Sequence, residues 1–289
     1  MKIIVCVKQI AQIYIQSGYD PTTNAMVGDG LVYILNPYDE FAVGEAIRQR
    51  EKAGGGAVTV ITLGHSRAED ALRWCLALGS DEAIHVLTPG AESLDSWTTA
   101  SILANLIKPM EYDLLLFGKK AMDDEMGQVG TFVAELLNLP LVTAVIDIDL
   151  TSAGKFRVQR ALERGDREEV TCPLPAAFTM EKTLTRTKYP TLPARKAARE
   201  MPIRQIDTHS LGPFPTLPKM VTLRLAQPKV KPKKILAPDS AMSDADRMKF
   251  IMTGGMGNKK GGTVGGNAEK IVSSIIDFLK EKMLLKAQF

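Results

Sequence analysis

The sequence predicts an α/β fold built on a doubly wound, mostly parallel sheet. Short, continuously apolar runs such as 2–7 (KIIVCV) and 57–63 (AVTVITL) are typical of strands that are buried on both faces of a sheet. Between such runs the apolar residues recur with the period of an α-helix, as in residues 66–78. Buried strands that alternate with amphipathic helices form parallel sheets covered on both faces, because right-handed crossovers place the helices there.

The first elements follow this pattern in order. The strand at 2–7 leads into a turn, VKQIAQ, and LVYIL at 31–35 is a short extended run before an Asn-Pro pair. A helix runs from about Asp39 to Ala53 and ends at consecutive glycines, which readily adopt the left-handed conformation that closes a helix. The elements predicted beyond it are strands at 57–63, 83–87, 113–117 and 142–149, and helices at 66–78, at about 97–107 and from 127 to 139.

The pattern changes after residue 150. Residues 150–180 read as two strands joined by a Gly-Asp turn and then a strand bounded by prolines, and this hairpin is expected to complete one edge of the sheet. Residues 183–238 are rich in proline and basic residues with little periodicity, which predicts an extended segment that crosses a surface. A last helix over 267–284 carries an apolar stripe that must pack on something.

The bulk composition excludes several classes of protein. A chain of 289 residues with 45% hydrophobic and 24% charged residues is an ordinary soluble globular protein. Its net charge of +3 is too small for nucleic-acid binding, so the basic clusters at 182–204 and 229–234 are interpreted as solvated surface, with acidic partners as the alternative. Cys6, Cys75 and Cys172 lack metal-type or redox-type spacing. Free thiols, with no signal peptide and no long apolar run, predict a cytoplasmic location.

The candidate site lies in residues 113–130, where a buried strand is followed by a polar loop and then by the start of a helix. In open α/β sheets, ligands bind just beyond the carboxyl ends of the strands, where helix N-termini favour a phosphate. The stretch therefore predicts a nucleotide site. Its paired acids, Asp123 and Asp124, are interpreted as helix-entry residues, because adjacent loop residues usually point apart. Asn36, at a second strand-to-helix junction, is expected to cap the helix or to hydrogen-bond a ribose or base.

The usual phosphate-binding signatures are missing. The turn after the first strand is not GxGxxG and no GxxxxGK[ST] loop is present, which disfavours a standard NAD-binding domain and a P-loop. The glycine-rich stretch from Gly254 to Gly266, with Lys259 and Lys260, does not follow a buried strand, so a loop leading to the last helix is favoured over a phosphate cradle. We therefore predict a binding domain with no catalytic side chains of its own and no metal centre.

Four stretches together resemble the β (small) subunit of electron transfer flavoproteins. They are MKIIVCVKQI, DPTTNAMVGDGLVYILNPYDEFAVGEAIR, GKKAMDDEMGQVG, and the region from RALERGDREEVTCPLPAAFTM through KYPTLPARKAARE. The resemblance implies a Rossmann-like, adenine-nucleotide-binding domain over residues 1–200, with a partner-recognition loop near 184–200. Residues 201–289 match poorly, because the family's C-terminal arm is usually shorter and lacks the glycine-rich loop. They are expected to form an arm and a helix that pack on a second subunit.

The resemblance also implies a function. Family members are heterodimers with an α subunit whose FAD accepts electrons from dehydrogenases, often the acyl-CoA dehydrogenases of fatty acid β-oxidation, and passes them to a quinone-linked acceptor. The β subunit is then part of an electron carrier rather than a stand-alone enzyme. Ordinary members hold AMP in this subunit, and electron-bifurcating members hold a second FAD there. DPTTN and NPYDEF resemble the bifurcating members and TLP the ordinary ones; we favour AMP, with a second FAD as the alternative.

Carried over position by position, the resemblance places the nucleotide contacts on strand ends and helix entries, with Cys6 contributing mainly its backbone. It also implies docking residues in the recognition loop, where Leu192 is the leucine that anchors in a pocket of the dehydrogenase, beside Tyr189 and Pro193. The nucleotide contacts implied are Cys6, Asn36, Pro37, Tyr38, Asp39, Leu63, Gly118, Lys119, Lys120, Ala121, Met122, Asp123, Asp124, Glu125, Met126, Gly127, Gln128 and Val129.

Two other classes of protein are weighed against this interpretation. A nucleotide-binding regulatory module would bind ATP or AMP alone and form homodimers, but the recognition-loop match and the long C-terminal arm argue against it. A nucleotide-dependent ligase or adenylylating enzyme needs a pyrophosphate loop after the first strand, and VKQIAQ does not supply one.

Overall fold

A computed structural model describes residues 1–13, 18–20, 25–27, 31–88, 90, 94–151, 154–182, 189–214, 238, 241–252 and 265–281. The chain divides into two compact units, Met1–Gln227 and Pro228–Phe289. Several predicted features lie outside the described residues. These are the first part of the recognition loop (184–188), the extended runs PTLPKM and QPKVKPKK, the glycine-rich loop up to residue 264, and residues 282–284 of the last helix.

The described strands number thirteen, and nine of them form one sheet in the first unit. In chain order the strands are β1 (Lys2–Val7), β2 (Gln9–Ile13), β3 (Gly18–Asp20), β4 (Ala25–Val27), β5 (Leu31–Leu35), β6 (Ala57–Gly64), β7 (Glu82–Leu87), β8 (Leu114–Gly118), β9 (Leu141–Leu150), β10 (Phe156–Ala161), β11 (Arg167–Cys172), β12 (Ala176–Met180) and β13 (Arg204–Asp207).

The sheet has the order β11-β10-β9-β12-β8-β1-β6-β7-β13. In this spatial order, each neighbouring pair from β9 through β12, β8, β1, β6 and β7 to β13 is parallel. The antiparallel hairpin of β10 and β11 extends the β9 edge as predicted. Strand β1 lies near the centre, with β6 on one side and β8 on the other. The chain reverses its winding direction there, so this is the point of the sheet where open α/β folds bind ligands.

Helices cover both faces of this sheet, which confirms the doubly wound prediction. Along β1 the side chains alternate: Ile3 and Val5 belong to one core cluster, and Ile4 and Cys6 belong to the other. The first cluster includes residues of α1, α2 and α5, and the second includes residues of α3 and α4. The described helices are α1 (Pro37–Lys52), α2 (Glu69–Leu78), α3 (Ser96–Ile107), α4 (Val129–Leu136) and α5 (Leu192–Glu200), with α6 (Asp244–Met252) and α7 (Ala268–Glu281) in the second unit.

The turn predicted after β1 is wrong. Residues Gln9–Ile13 form β2, which pairs antiparallel with β5 in a two-stranded ribbon separate from the main sheet. The run QIAQI has the alternation of a half-buried strand, with Ile10 buried and Ala11 exposed. The ribbon therefore extends β1 beyond the edge of the sheet and adds a wall above the carboxyl ends of the strands.

The segment from 183 to 238, predicted to be extended, contains helix α5 and strand β13. Helix α5 starts at Thr191, whose side chain accepts a hydrogen bond from the Ala194 N–H at 3.3 Å, and Pro193 occupies its first turn. A threonine N-cap followed by proline is a helix-start signal that the proline-rich composition obscured. Strand β13 pairs parallel with β7 and forms the other edge of the main sheet.

In the second unit, helix α7 confirms the predicted last helix over its described part. Its apolar stripe is exposed, with Val272 54% and Ile275 50% accessible. Helix α6, which the sequence pattern did not predict, also carries exposed apolar residues, Met248, Ile251 and Met252. No helix in the described residues is long and apolar enough to cross a membrane.

Candidate functional site

A cavity of about 670 Å³ opens where the carboxyl ends of β1, β6 and β8 meet the N-terminus of α4. It has a volume typical of small-molecule and cofactor sites. Predicted contact residues that line it are Cys6, Asn36, Asp39, Leu63, Gly118, Lys120, Ala121, Asp123, Asp124, Met126, Gly127, Gln128 and Val129. Five predicted contact residues do not line it, namely Pro37, Tyr38, Lys119, Met122 and Glu125.

Asp39 joins the ends of two central strands at the floor of the cavity. Its Oδ2 accepts a hydrogen bond from the Lys8 N–H at 2.7 Å, and its Oδ1 accepts one from the Gly118 N–H at 3.0 Å. The side chain is only 5% exposed. Burial raises the pKa of Asp39 to about 7, against the opposing effect of the hydrogen bonds from Lys8, Asn36 and Gly118. The carboxyl group therefore sits near the midpoint of its titration at neutral pH.

Gly118 is required by this arrangement. A Cβ atom at residue 118 would lie 2.2 Å from Asp39 Oδ1 and 2.8 Å from the Tyr38 Cβ. Both distances are shorter than any van der Waals contact, so a side chain here would push the start of α1 away from β8. The glycine at the end of the predicted strand thus serves close approach of the backbone to a carboxylate.

Asn36 holds the loop after β8 in place. Its Nδ2 donates to the Lys120 carbonyl at 3.0 Å, and its Oδ1 accepts from the Met122 N–H at 3.2 Å. Its own N–H donates to the Lys8 carbonyl at 2.9 Å. Both ends of the amide are therefore engaged by the wall of the cavity, and Asn36 makes no side-chain cap on α1.

Lys8, which sequence reasoning missed, connects β1 to the same loop. Its Nζ forms ion pairs with Asp123 and Asp124, each at 2.9 Å. Burial lowers the pKa of Lys8, but the hydrogen bonds and charges of the two carboxylates outweigh it and leave the pKa raised. The carboxylates also accept backbone hydrogen bonds from Asp124 and Met126. The paired acids therefore hold the loop to Lys8. The expectation that their side chains point apart is wrong, because both carboxylates meet the same ammonium group.

Replacing Lys8 with methionine is expected to loosen the loop from 119 to 127. The two carboxylates would lose their shared cation, a loss worth about 1 kcal/mol for a partly exposed network. We expect the amides of this loop to exchange with solvent about fivefold faster, as measured by hydrogen exchange with mass spectrometry. Lys108→Met, at an exposed position after α3, is the matched control. Unchanged exchange in the loop would contradict the role given to Lys8.

The start of α4 forms part of the cavity wall, through Gly127, Gln128 and Val129. The N-cap residue Gln128 makes no side-chain capping hydrogen bond, and the first N–H groups of a helix have no partner within it. Gly127 turns the chain into the helix with φ of +61°, and its absent Cβ would lie 2.9 Å from the Lys119 carbonyl oxygen. A helix start of this kind favours a phosphate or another anion.

The opposite end of the cavity is formed by residues that sequence reasoning did not select. The Arg67 guanidinium carbon lies 4.4 Å from the centre of the Tyr33 ring, and Gln9 Nε2 donates to the Arg67 carbonyl at 2.8 Å. His65 lines the cavity beside them. His65 and Arg67 directly follow β6, so the rule that ligands bind beyond the carboxyl ends of strands was the signal for both.

The described residues contain no group of three or more His, Cys, Asp or Glu side chains placed to hold a metal ion. The thiols of Cys6, Cys75 and Cys172 are free and buried, and burial raises the pKa of each. A buried thiol of this kind is inert. The arrangement supports binding of a polar, anionic ligand.

The predicted docking residues lie on helix α5 and the residues just before it. Leu192 is 79% exposed and Tyr189 is 74% exposed. Tyr189 contacts Trp74 of α2 edge to face, with the ring centres 5.3 Å apart, and Arg195 lies 5.6 Å from the centre of the same Trp74 ring. The guanidinium of Arg73 donates to the backbone carbonyls of Ala198 and Met201. Helix α5 is thus fixed on α2 while Leu192 and Pro193 face solvent.

Comparison with known proteins identifies one family for this chain. The sequence model of the "Electron transfer flavoprotein domain" family matches residues 23–211. The chain is 33% identical over 223 residues to an electron transfer flavoprotein subunit beta of Bacillus subtilis, covering 76% of this chain and 86% of that protein. It is 38% identical over 192 residues to the protein of that name in Thermoanaerobacterium thermosaccharolyticum, covering 66% and 72% respectively. The mouse protein of that name is 33% identical over 214 residues, covering 73% and 83%.

Proposed function

The chain belongs to the electron transfer flavoprotein family as a β subunit, and on this premise we propose that it pairs with a flavin-carrying α subunit and holds AMP in the cavity at the carboxyl edge of its sheet. The observation that carries the proposal is the cavity itself. It is enclosed by strand ends and a helix entry, and the predicted contacts Cys6, Asn36, Leu63 and Gly118 all line it.

In the proposed pose the phosphate of AMP binds the backbone N–H groups at the start of α4, at Gln128 and Val129. Lys8 also lines the cavity, with its ammonium group already paired with the two aspartates of the loop. The adenosine moiety then extends along the ends of β1 and β6, past Cys6 and Leu63. The AMP is structural, and the redox chemistry resides in the FAD of the complex.

The size of the cavity favours a second candidate ligand. About 670 Å³ lies well inside the usual range of about 300–1,000 Å³ for ligand sites and leaves space beyond a mononucleotide. Tyr33 and Arg67 at the far end offer an aromatic face and a cation to a larger group. A second FAD in place of AMP, as in the electron-bifurcating members, is therefore the alternative.

We propose that Leu192 docks the electron donor, a dehydrogenase and in particular an acyl-CoA dehydrogenase, and that electrons leave the flavin for a quinone-linked acceptor. An exposed leucine fixed by a packed helix and flanked by Arg195 and Lys196 suits a docking hot spot with an acidic rim. The exposed apolar stripe of α7, by itself unburied, is proposed to pack on the α subunit. The proposed setting is the cytoplasm, which suits three free thiols.

The direct test of this function is the cofactor content of the complex. The chain is co-expressed with an α subunit from the same source, the complex is purified, and flavin per heterodimer is counted together with extracted AMP. One flavin and one AMP are expected. Two flavins and no AMP would establish the alternative, and failure to form a flavin-containing heterodimer would contradict both.

A further inference from the structure

At the floor of the cavity, the buried carboxylate of Asp39 occupies two backbone N–H donors that could otherwise bind an anion. The N–H groups of Lys8 and Gly118, at the ends of the neighbouring strands β1 and β8, both donate to Asp39. Paired backbone N–H groups at strand ends are donors of the kind that bind the phosphate of a ligand. Here the side chain at the start of α1 occupies them, so a bound nucleotide must place its phosphate elsewhere in the cavity.

The spacing of the two strand ends depends on this contact. Gly118 allows the carboxylate to approach the backbone, since a Cβ would lie 2.2 Å from Oδ1. Asn36, one turn earlier, holds the loop beyond Gly118 through the Lys120 carbonyl and the Met122 N–H. The Asp39 carboxyl group therefore joins β1, β8 and α1 at one point beneath the cavity.

Few charges compensate Asp39. Two groups of β1 and the residue after it lie nearby. The Lys8 ammonium is already paired with Asp123 and Asp124, and the thiol of Cys6 is neutral. From α2 the group nearby is the Cys75 thiol. Strands β6, β8 and β12 carry no titratable side chain.

We propose that Asp39 is a positioning residue that sets the width of the cavity floor, and that binding of an anionic nucleotide in the cavity is coupled to uptake of a proton by its carboxyl group. The inference rests on the proposed nucleotide site. An anion bound above Asp39 adds negative charge to a poorly compensated region, and the neutral acid is then favoured over the carboxylate.

The affinity for the nucleotide depends on pH through the pKa of Asp39. Burial already raises the pKa of Asp39 to about 7 in the empty cavity, and a bound anion raises it further. Protons are therefore taken up on binding at neutral pH. Affinity is highest below pH 7 and falls as the pH rises from 7 through the higher pKa of the bound state.

The test uses the purified heterodimer, freed of nucleotide and titrated calorimetrically with AMP at pH 7 in two buffers of different ionisation enthalpy. The dependence of the observed heat on the buffer counts the protons taken up. The AMP phosphate contributes equally to the proton uptake of the wild type and of Asp39→Asn. The wild type is therefore expected to take up a measurable fraction of a proton more than the variant. Between pH 6 and 8 its affinity should fall several-fold more than that of the variant. Asp149→Asn, at an exposed position, should match the wild type.

A second ligand keeps the test independent of the variant's folding. Adenosine 5′-sulfate does not titrate near neutral pH, so any proton taken up with it belongs to the protein. Uptake by the wild type with this ligand that Asp39→Asn does not show supports the inference, and equal uptake in both would overturn it. Binding of AMP with no protein-linked uptake would overturn the inference and leave the AMP site intact. Failure of the wild type to bind either ligand would overturn the proposed AMP site together with this inference.

Discussion

A Gly118→Ala variant is expected to lose most of its affinity for AMP and about 2–4 kcal/mol of its free energy of unfolding. The added Cβ would lie 2.2 Å from Asp39 Oδ1 and 2.9 Å from the Asp39 backbone nitrogen. Because both are part of a packed helix start, relief requires the strand end and the helix to separate. Overpacking costs about 1–3 kcal/mol, and loss of a hydrogen bond to a charged acceptor adds a similar amount.

Urea denaturation measures the stability of this variant, and titration calorimetry measures its affinity for AMP, with a decrease of tenfold or more expected. The matched control is Gly265→Ala. A Cβ at residue 265 would have no atom within 4 Å, and the backbone there does not require glycine. If Gly118→Ala kept wild-type stability and affinity, the contact between Asp39 and the end of β8 would not define the cavity floor.

Leu192→Ala is expected to reduce the kcat/KM for reduction of the complex by its dehydrogenase by roughly 30-fold, with no change in stability or nucleotide content. The side chain is 79% exposed, so its truncation leaves no cavity in the core. A docking hot spot contributes about 2 kcal/mol or more, which corresponds to roughly 30-fold in affinity. Reduction by dithionite, which needs no docking, should be unaffected.

Leu150→Ala is the control for an exposed leucine, because Leu150 is 40% exposed at the end of β9 and has no proposed docking role. Equal losses of activity in both variants would mean that the effect does not depend on the recognition loop. Unchanged activity in Leu192→Ala would remove Leu192 from the docking site.

The sequence predicted the main sheet well because its strands are buried on both faces. Continuous apolar runs such as those of β1, β6 and β8 place side chains in both core clusters. Few structures other than a strand covered on both faces can bury such a run. The site followed from the same pattern, since loops at the carboxyl ends of such strands must meet at one edge. Gly118 and Asp123 lie in such a loop, so the pattern alone was enough to select them.

The remaining features depend on contacts between distant parts of the chain. Asp39 meets Lys8 across 31 residues and Gly118 across 79, and Lys8 meets Asp123 across 115. No local pattern encodes such a contact, so Lys8 was missed and Asp39 was assigned only as a ligand contact. Strand β2, which pairs with the correctly predicted run of β5, and helix α5 were missed for another reason. Their sequence signals are short, and the composition of the surrounding segments outweighed them.

Photolabelling of the purified heterodimer with 8-azido-AMP tests the central claim most directly, because it reports where a nucleotide binds in the chain. We expect labelled peptides from the cavity wall, in residues 6–11, 33–39, 61–68, 94–103 or 117–130, with the label lost when excess AMP is present. Labelling that AMP displaces but that falls only outside these segments would contradict the assignment of the cavity as the nucleotide site.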